Sequence, residues 1–211
     1  MKAPIPIEVA VEDDLSAAVI RKILERSGQP FYPGTSYIGQ RFGYLHRNIR
    51  GFNKAAQGTP WIVLTDLDKS KCPPELIRLW LPEPKHPNLL FRVAVREVEA
   101  WLLADRVGFA RFLGIRKELI PPNADAIQDP KQHLINLARK CRRRDIREDI
   151  VPPRGSTRQI GPNYNGRLVS FVHHNWDALL ATQSSESLMR TFKSLSRFAP
   201  TWPSIDDGSA P

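Results

Sequence analysis

The 211-residue sequence predicts an α/β fold, a parallel sheet flanked by helices and followed by a helical C-terminal extension. Three observations carry that prediction. Strand-like and helix-like segments alternate through the first half of the chain. The run Trp61-Ile62-Val63-Leu64-Thr65 is apolar without alternation, as a strand buried on both faces must be. From Pro130 onward only helical periodicities occur.

The elements follow in order. Ile5, Ile7, Val9 and Val11 alternate with Pro6, Glu8, Ala10 and Glu12, the period of a half-buried first strand. Asp14 then caps a helix with an apolar stripe of Leu15, Ala18, Val19, Ile23 and Leu24, which Gly28 and Pro30 stop. Residues 36–57 read as a helix weakened by Gly39, Gly43 and Gly51, each costing about 1 kcal/mol against alanine in a helix interior. Gly58-Thr59-Pro60 and Asp66 bound the buried strand over 61–65. Pro73-Pro74 opens a short helix through Trp80, since proline suits the first helical turn. A strand over 89–95 and a helix over 98–113, ended by Gly114, complete the alternation. Further helices are expected over 131–141, 165–176 and 185–198. The expected organisation is a core over 1–113, an extension packed on it over 114–199, and a flexible tail over 200–211.

Composition narrows the function. Lysine and arginine number 31 against 22 acids, a net charge of +9, so the long-range field favours an anionic partner. With 41% apolar residues the chain can bury a core, which excludes wholesale disorder. Cys72 and Cys141 stand alone, so neither a zinc knuckle nor a disulfide framework is indicated, and a reducing cytoplasm is the expected location. The opening MKAPIPIEVAVEDD carries acids where a secretory leader needs an apolar run, and no stretch reaches the roughly 18 apolar residues of a membrane span, so no membrane partner is expected. Gly39 and Gly43 lack the following Gly-Lys-Ser/Thr of a phosphate-binding loop, so the chain is not expected to hydrolyse ATP itself. The adjacent His173 and His174 would point about 100° apart on a helix, too far to chelate one ion.

The acids are distributed unevenly. Glu12 falls at the carboxyl end of the first strand, and Asp66 and Asp68 at the carboxyl end of the 61–65 strand, the sheet edge where ligands of open parallel sheets bind. Asp66 and Asp68 are spaced so that extended backbone sends both to one side. Carboxylates brought together there stay ionised only beside a cation, and oxygen ligands without histidine or cysteine select Mg²⁺ or Mn²⁺. A second acidic set, Glu97, Glu99 and Asp105, follows the next strand, where the same residues also suit the first turn of a helix.

The segments VAVEDDLSAAVIRKIL, WIVLTDLDK and RVAVREVEAWLLAD resemble the TOPRIM fold, the metal-binding domain of topoisomerases, primases and overcoming-lysogenization-defect nucleases. More narrowly, the chain is similar to small stand-alone TOPRIM-like proteins encoded beside an ATPase in bacterial anti-phage operons. The resemblance implies a metal-dependent nuclease in which Glu12 matches the family glutamate and Asp66 and Asp68 the Asp-x-Asp pair. Glu99 to Asp105 match the glutamate-tryptophan segment. Asp13 stands where the family has glycine, and Lys69-Ser70-Lys71 where another glycine follows the pair, which departs from the topoisomerase and primase pattern. The separate ATPase partner and the defence role are implied by the resemblance alone. A strand followed by Glu12-Asp13-Asp14, with a later strand ending in Asp66, also resembles a phosphoacceptor receiver domain, although Arg96-Glu97 stands where that fold places a hydroxyl residue.

Two basic stretches complete the reading. No acid occurs between Arg26 and Thr65, where Arg41, Arg47, Arg50 and Lys54 are interleaved with aromatic residues such as Tyr37, Phe42, Tyr44 and Phe52. Such a segment offers phosphate contacts and base-stacking rings, or else the apolar stripe and solvated face of an ordinary helix. Eight basic residues against three acids lie between Arg139 and Arg158, with Arg142, Arg143, Arg144 and Arg158 the expected phosphate contacts. The expected function is a Mg²⁺- or Mn²⁺-dependent nuclease acting on DNA or RNA. In it Glu12, Asp66, Asp68 and Glu99 form the catalytic group with Lys69, and Glu97 and Asp105 are further metal ligands. The alternative is a nucleic-acid-binding or ATPase-scaffolding subunit that does not cut.

Overall fold

The structure, a computed structural model, describes residues 3–39 and 43–202; Arg41, Phe42 and the tail from 203 lie outside the described residues. Strands β1 (Ile5–Val11), β2 (Phe31–Ile38), β3 (Trp61–Asp66) and β4 (Leu89–Ala94) form one wholly parallel sheet in the order β2-β1-β3-β4. Helices α1 (Asp14–Arg26), α2 (Tyr44–Ala55) and α3 (Pro73–Trp80) connect them. After β4 come α4 (Val98–Ala104), α5 (Arg106–Leu113), α6 (Pro130–Ala138), α7 (Arg144–Ile150), α8 (Tyr164–His174), α9 (Ala178–Ala181) and α10 (Glu186–Ser196). The fold is thus α/β with a helical C-terminal half. No helix among the described residues is long and apolar enough to cross a membrane.

Side-chain alternation divides the sheet between two cores. Ile7, Val9, Val11, Ile62 and Leu64 face α1 and α4, and the same apolar cluster takes in Leu134, Ile146, Leu168, Phe171 and Leu188. The helices of the second half therefore share a core with the first. Ala10, Trp61, Val63 and Phe91 face a smaller core closed by Leu45, Ile49 and Phe52 of α2 and Leu76 of α3. Trp101 is wholly buried in the larger core; its indole donates to the Ser187 hydroxyl at 2.7 Å and its carbonyl accepts from the Trp176 indole at 3.2 Å. Those two bonds pin α4 to the C-terminal helices.

Several sequence expectations need correction. Residues 31–38 form a strand, and the helix expected over 36–57 is confined to Tyr44–Ala55. β2 is an edge strand, where Pro33 and Gly34 are tolerated because one side of the backbone needs no ladder partner. Its register against β1 shifts between Ile7 and Val9. The cap of α1 is Asp13, which accepts from the Ser16 N–H at 2.8 Å, rather than Asp14. The helix expected over 98–113 breaks at Asp105, and α7 and α9 were not anticipated.

Candidate carboxylate site at the sheet edge

The chain leaves β1 toward β2 on one side and reaches β3 on the other, so the sheet changes direction between β1 and β3. Parallel sheets open a crevice for ligands at the carboxyl ends of such a strand pair. Glu12 follows β1 directly and Asp66 ends β3, so the two carboxylates come from adjacent strands on either side of this point. Alternation sends Thr65 to the side of the smaller core, and its hydroxyl donates to Glu12 Oε1 at 2.5 Å. Asp66 faces the other way and accepts the Val98 N–H of α4 at 2.9 Å. Its second oxygen makes no hydrogen bond among the described residues.

Backbone strain marks the same edge. Asp68 (φ 48°) and Arg96 (φ 63°) are the described non-glycine residues with positive φ, a conformation costing roughly 1–2 kcal/mol for an L-residue. They are joined to each other: the Asp68 N–H donates to the Arg96 carbonyl at 2.9 Å, and Arg96 Nη1 returns to the Asp68 carbonyl at 2.9 Å. Aspartate is among the residue types that tolerate the left-handed region. Asp68 and the following Lys69 are exposed.

The electrostatics are those of a crowded anionic site. Burial pushes the Asp66 carboxyl well above the ordinary aspartate range, and the neighbouring charges of Glu99, Glu12, Asp68 and Asp13 push it further. Glu12 is raised by burial and by Asp68 and Asp13, against the hydrogen bonds from Thr65 and the Asp66 backbone. Glu99 is 4% exposed and raised by burial, with Lys131 opposing the shift. Among the described residues no three or more histidine, cysteine, aspartate or glutamate side chains are gathered tightly enough to hold an ion as they stand.

Lys131, near the start of α6, sets a positive charge against the acids that follow β4. Its ammonium lies 3.8 Å from Glu97 Oε1 and 3.7 Å from Glu99 Oε1, and its own backbone N–H donates to Glu97 Oε2 at 2.9 Å. Burial works against this ammonium, yet Glu99, Glu97, Asp66 and Asp13 outweigh it and hold its pKa above that of an ordinary lysine. Tyr164 of α8 donates its hydroxyl to Glu99 Oε1 at 3.0 Å and is itself raised by burial and by that carboxylate. Neither Lys131 nor Tyr164 was among the predicted site residues. One signal did point to Lys131: a cation in the first turn of a helix opposes the macrodipole and needs acids nearby to be stable.

Asp105 takes a different place from the other predicted ligands. It is 1% exposed and caps α5, with Oδ1 accepting from the Gly108 N–H at 2.8 Å and Oδ2 from the Asp177 N–H at 2.9 Å. Both oxygens are thus committed to backbone donors.

The predicted phosphate contacts divide as well. A cleft of about 1440 Å³ runs from Glu97 and Lys131 past Arg139 and Arg147 to Arg154 and Arg158. Arg158 lies in it, whereas Arg143 and Arg144 are exposed outside and paired with Asp145 at 3.1 Å and Glu148 at 2.7 Å. Arg142 is exposed and is not part of the cleft wall. Arg47, Arg50 and Lys54 lie on the exposed face of α2, with Arg50 3.4 Å from Glu83. The rings around them serve the smaller core: Phe52 stacks on Trp61 at 4.9 Å and lies 6.3 Å from both Tyr37 and Tyr44. The apolar-stripe reading of that helix therefore describes its packing.

Compared with protein-family models, curated proteins and solved structures, the chain finds no match.

Proposed function

We propose that the protein is a Mg²⁺- or Mn²⁺-dependent phosphodiester hydrolase of TOPRIM-like type acting on nucleic acid. The observation that carries this reading is the mutual repulsion of Glu12, Asp66 and Asp68 at the β1/β3 switch point, near a cleft whose wall carries five basic side chains against three acidic ones. The donor set suits a hard cation because every candidate atom is a carboxylate oxygen. Asp66, Asp68 and Glu12 would hold it, and its nearness to Asp66 would offset the repulsion that raises that carboxyl. When bound, such an ion neutralises phosphate oxygens and lowers the pKa of a coordinated water.

The remaining roles belong to the chain. Glu12 would be a further ligand or, left uncoordinated and oriented by Thr65 with its proton affinity raised, would take a proton from the attacking water. Lys69, exposed beside Asp68, can offset charge building on the phosphate. Lys131, Arg139, Arg147, Arg154 and Arg158 would track the backbone of the strand and reverse the local potential that otherwise repels it.

Lys131 also favours a second reading. An internal ammonium already facing Glu97 and Glu99 can serve as the permanent counter-ion of a site that binds nucleic acid without cutting it. A control by a partner ATPase is compatible with either reading and is proposed from the family resemblance. Cleavage of single- and double-stranded DNA and RNA with Mg²⁺ or Mn²⁺, with and without a candidate ATPase, separates the two. The hydrolase reading expects products from the wild type and none from Asp66→Asn or Glu12→Gln. Binding without cleavage under every condition supports the counter-ion reading, and cleavage surviving in both variants overturns the site.

A further inference from the structure

A second charged feature lies away from the carboxylate site and shares no residue with it. The edge strand β4, helix α3 and helix α10 enclose a cavity of about 460 Å³ lined by Arg92, Arg190, Lys193 and Arg197. Arg92 projects from β4, and its Nε donates to the Thr191 hydroxyl at 3.3 Å. The two terminal nitrogens of its guanidinium have no acceptor among the described residues, and no carboxylate pairs with it. Its charged neighbours repel it instead. Burial lowers the proton affinity of Arg92 and Arg190 lowers it further; Lys85 is lowered by burial and by Arg92.

The two acids on the cavity wall do not offset this charge. Asp125 spends its oxygens on the Ser185 and Ser187 hydroxyls and the Ser187 N–H, at 2.6, 3.2 and 2.8 Å. Glu186 is held by Arg190 through Nε and Nη2. Lys193 and Arg197 are exposed at the rim with no ionic partner among the described residues. A half-buried guanidinium crowded by other cations gains stability only from an anion, and its planar fork matches two oxygens of a phosphate. We propose that this cavity is a phosphate-binding site, in which Arg92 grips the anion from β4 while Lys193 and Arg197 close over it from the C-terminal end of α10.

The test is a calorimetric titration of the full chain, at constant ionic strength, with inorganic phosphate, adenosine 5′-monophosphate and a short oligothymidylate. Saturable binding of at least one is expected. Equal affinity for the first two identifies a phosphate site proper, preference for the monophosphate a nucleotide site, and response to the oligonucleotide alone a strand contact. Arg92→Gln should weaken the bound compound at least about tenfold, and Arg144→Gln, exposed on α7 and outside both the cleft wall and this cavity, should leave it unchanged. Should Arg92→Gln fail to fold, the exposed Lys193→Gln should still weaken binding about threefold with an unaltered circular dichroism spectrum. No saturable binding of any of the three, an Arg92→Gln affinity within about twofold of wild type, or binding of an oligoglutamate peptide in their place would overturn the assignment.

Discussion

Asp66 and Asp105 are both enclosed carboxylates, each next to a helix start, and they have opposite electrostatic fates. Asp105 has a backbone donor on each oxygen and no acid is bonded to it, so its charge is matched by the fold. Asp66 has one such donor and four acidic neighbours, so repulsion disfavours its charge. The difference separates a carboxylate that holds the structure together from one that the structure holds in readiness, and it makes opposite predictions for the same kind of substitution. Removing a satisfied acid weakens the fold. Removing an unsatisfied one strengthens it and abolishes whatever the charge is for.

The largest expected effect tests the functional half of that contrast. Asp66→Asn should reduce metal-dependent cleavage by roughly 10²–10³-fold or more, read as initial rates on a labelled strand, whereas a fold-preserving change elsewhere on the sheet should not. The structural half comes next. Asp105→Ala should lower the unfolding free energy by about 2 kcal/mol in urea, because two half-buried N–H groups lose a charged acceptor.

The pH dependence sharpens the comparison. A carboxyl raised in the folded state binds its proton more tightly there than in the unfolded chain, so Asp66 costs no stability below its unfolded value near 3.8 and destabilises increasingly as the pH rises through its folded value. Asp66→Asn should therefore be more stable than wild type at neutral pH, with the gap closing in acid; thermal melts across pH check this. Lys131 has the reverse sign. Its raised folded pKa contributes stability that is fully present below about pH 10.5 and is lost as the pH rises through the folded value. Lys131→Met should remove that stability at neutral pH and, by deleting a competing charge, tighten Mg²⁺ binding about tenfold. The smallest effect belongs to the outer arginines. Arg154→Gln with Arg158→Gln should flatten the salt dependence of nucleic-acid binding by about two ions, while Arg144→Gln, off the cleft wall and already paired with Glu148, should change it little.

How much of this was legible in the sequence follows from the range of the interactions. The alternation of β1 and the unbroken apolar run of β3 are local patterns, and Glu12, Asp66 and Asp68 could be placed at the sheet edge because each directly ends or follows a strand. β2 was hidden because Pro33 and Gly34 weaken its local propensity, and only its position at the edge makes them harmless. Asp105 looked like a member of the acidic set by spacing; its role depends on the Asp177 N–H, supplied from α9's cap far along the chain. Lys131 and Tyr164 reach Glu99 across 32 and 65 positions, and no periodicity reports a contact of that range. The basic cluster was visible as composition, but which arginines line the cleft depends on how α7 and the segment after it are placed against α6, which no local pattern reports.

The central claim is that the excess negative charge at the β1/β3 edge is there to bind a divalent cation. Titrating Mg²⁺ and Mn²⁺ into the full chain by calorimetry, in two buffers of different ionisation heat, measures both the binding and the protons it displaces. The account predicts saturable binding accompanied by proton release that grows as the pH falls from about 8 to 5, and loss of both in Asp66→Asn. No saturable heat with either ion, or equal binding by wild type and Asp66→Asn, would contradict it.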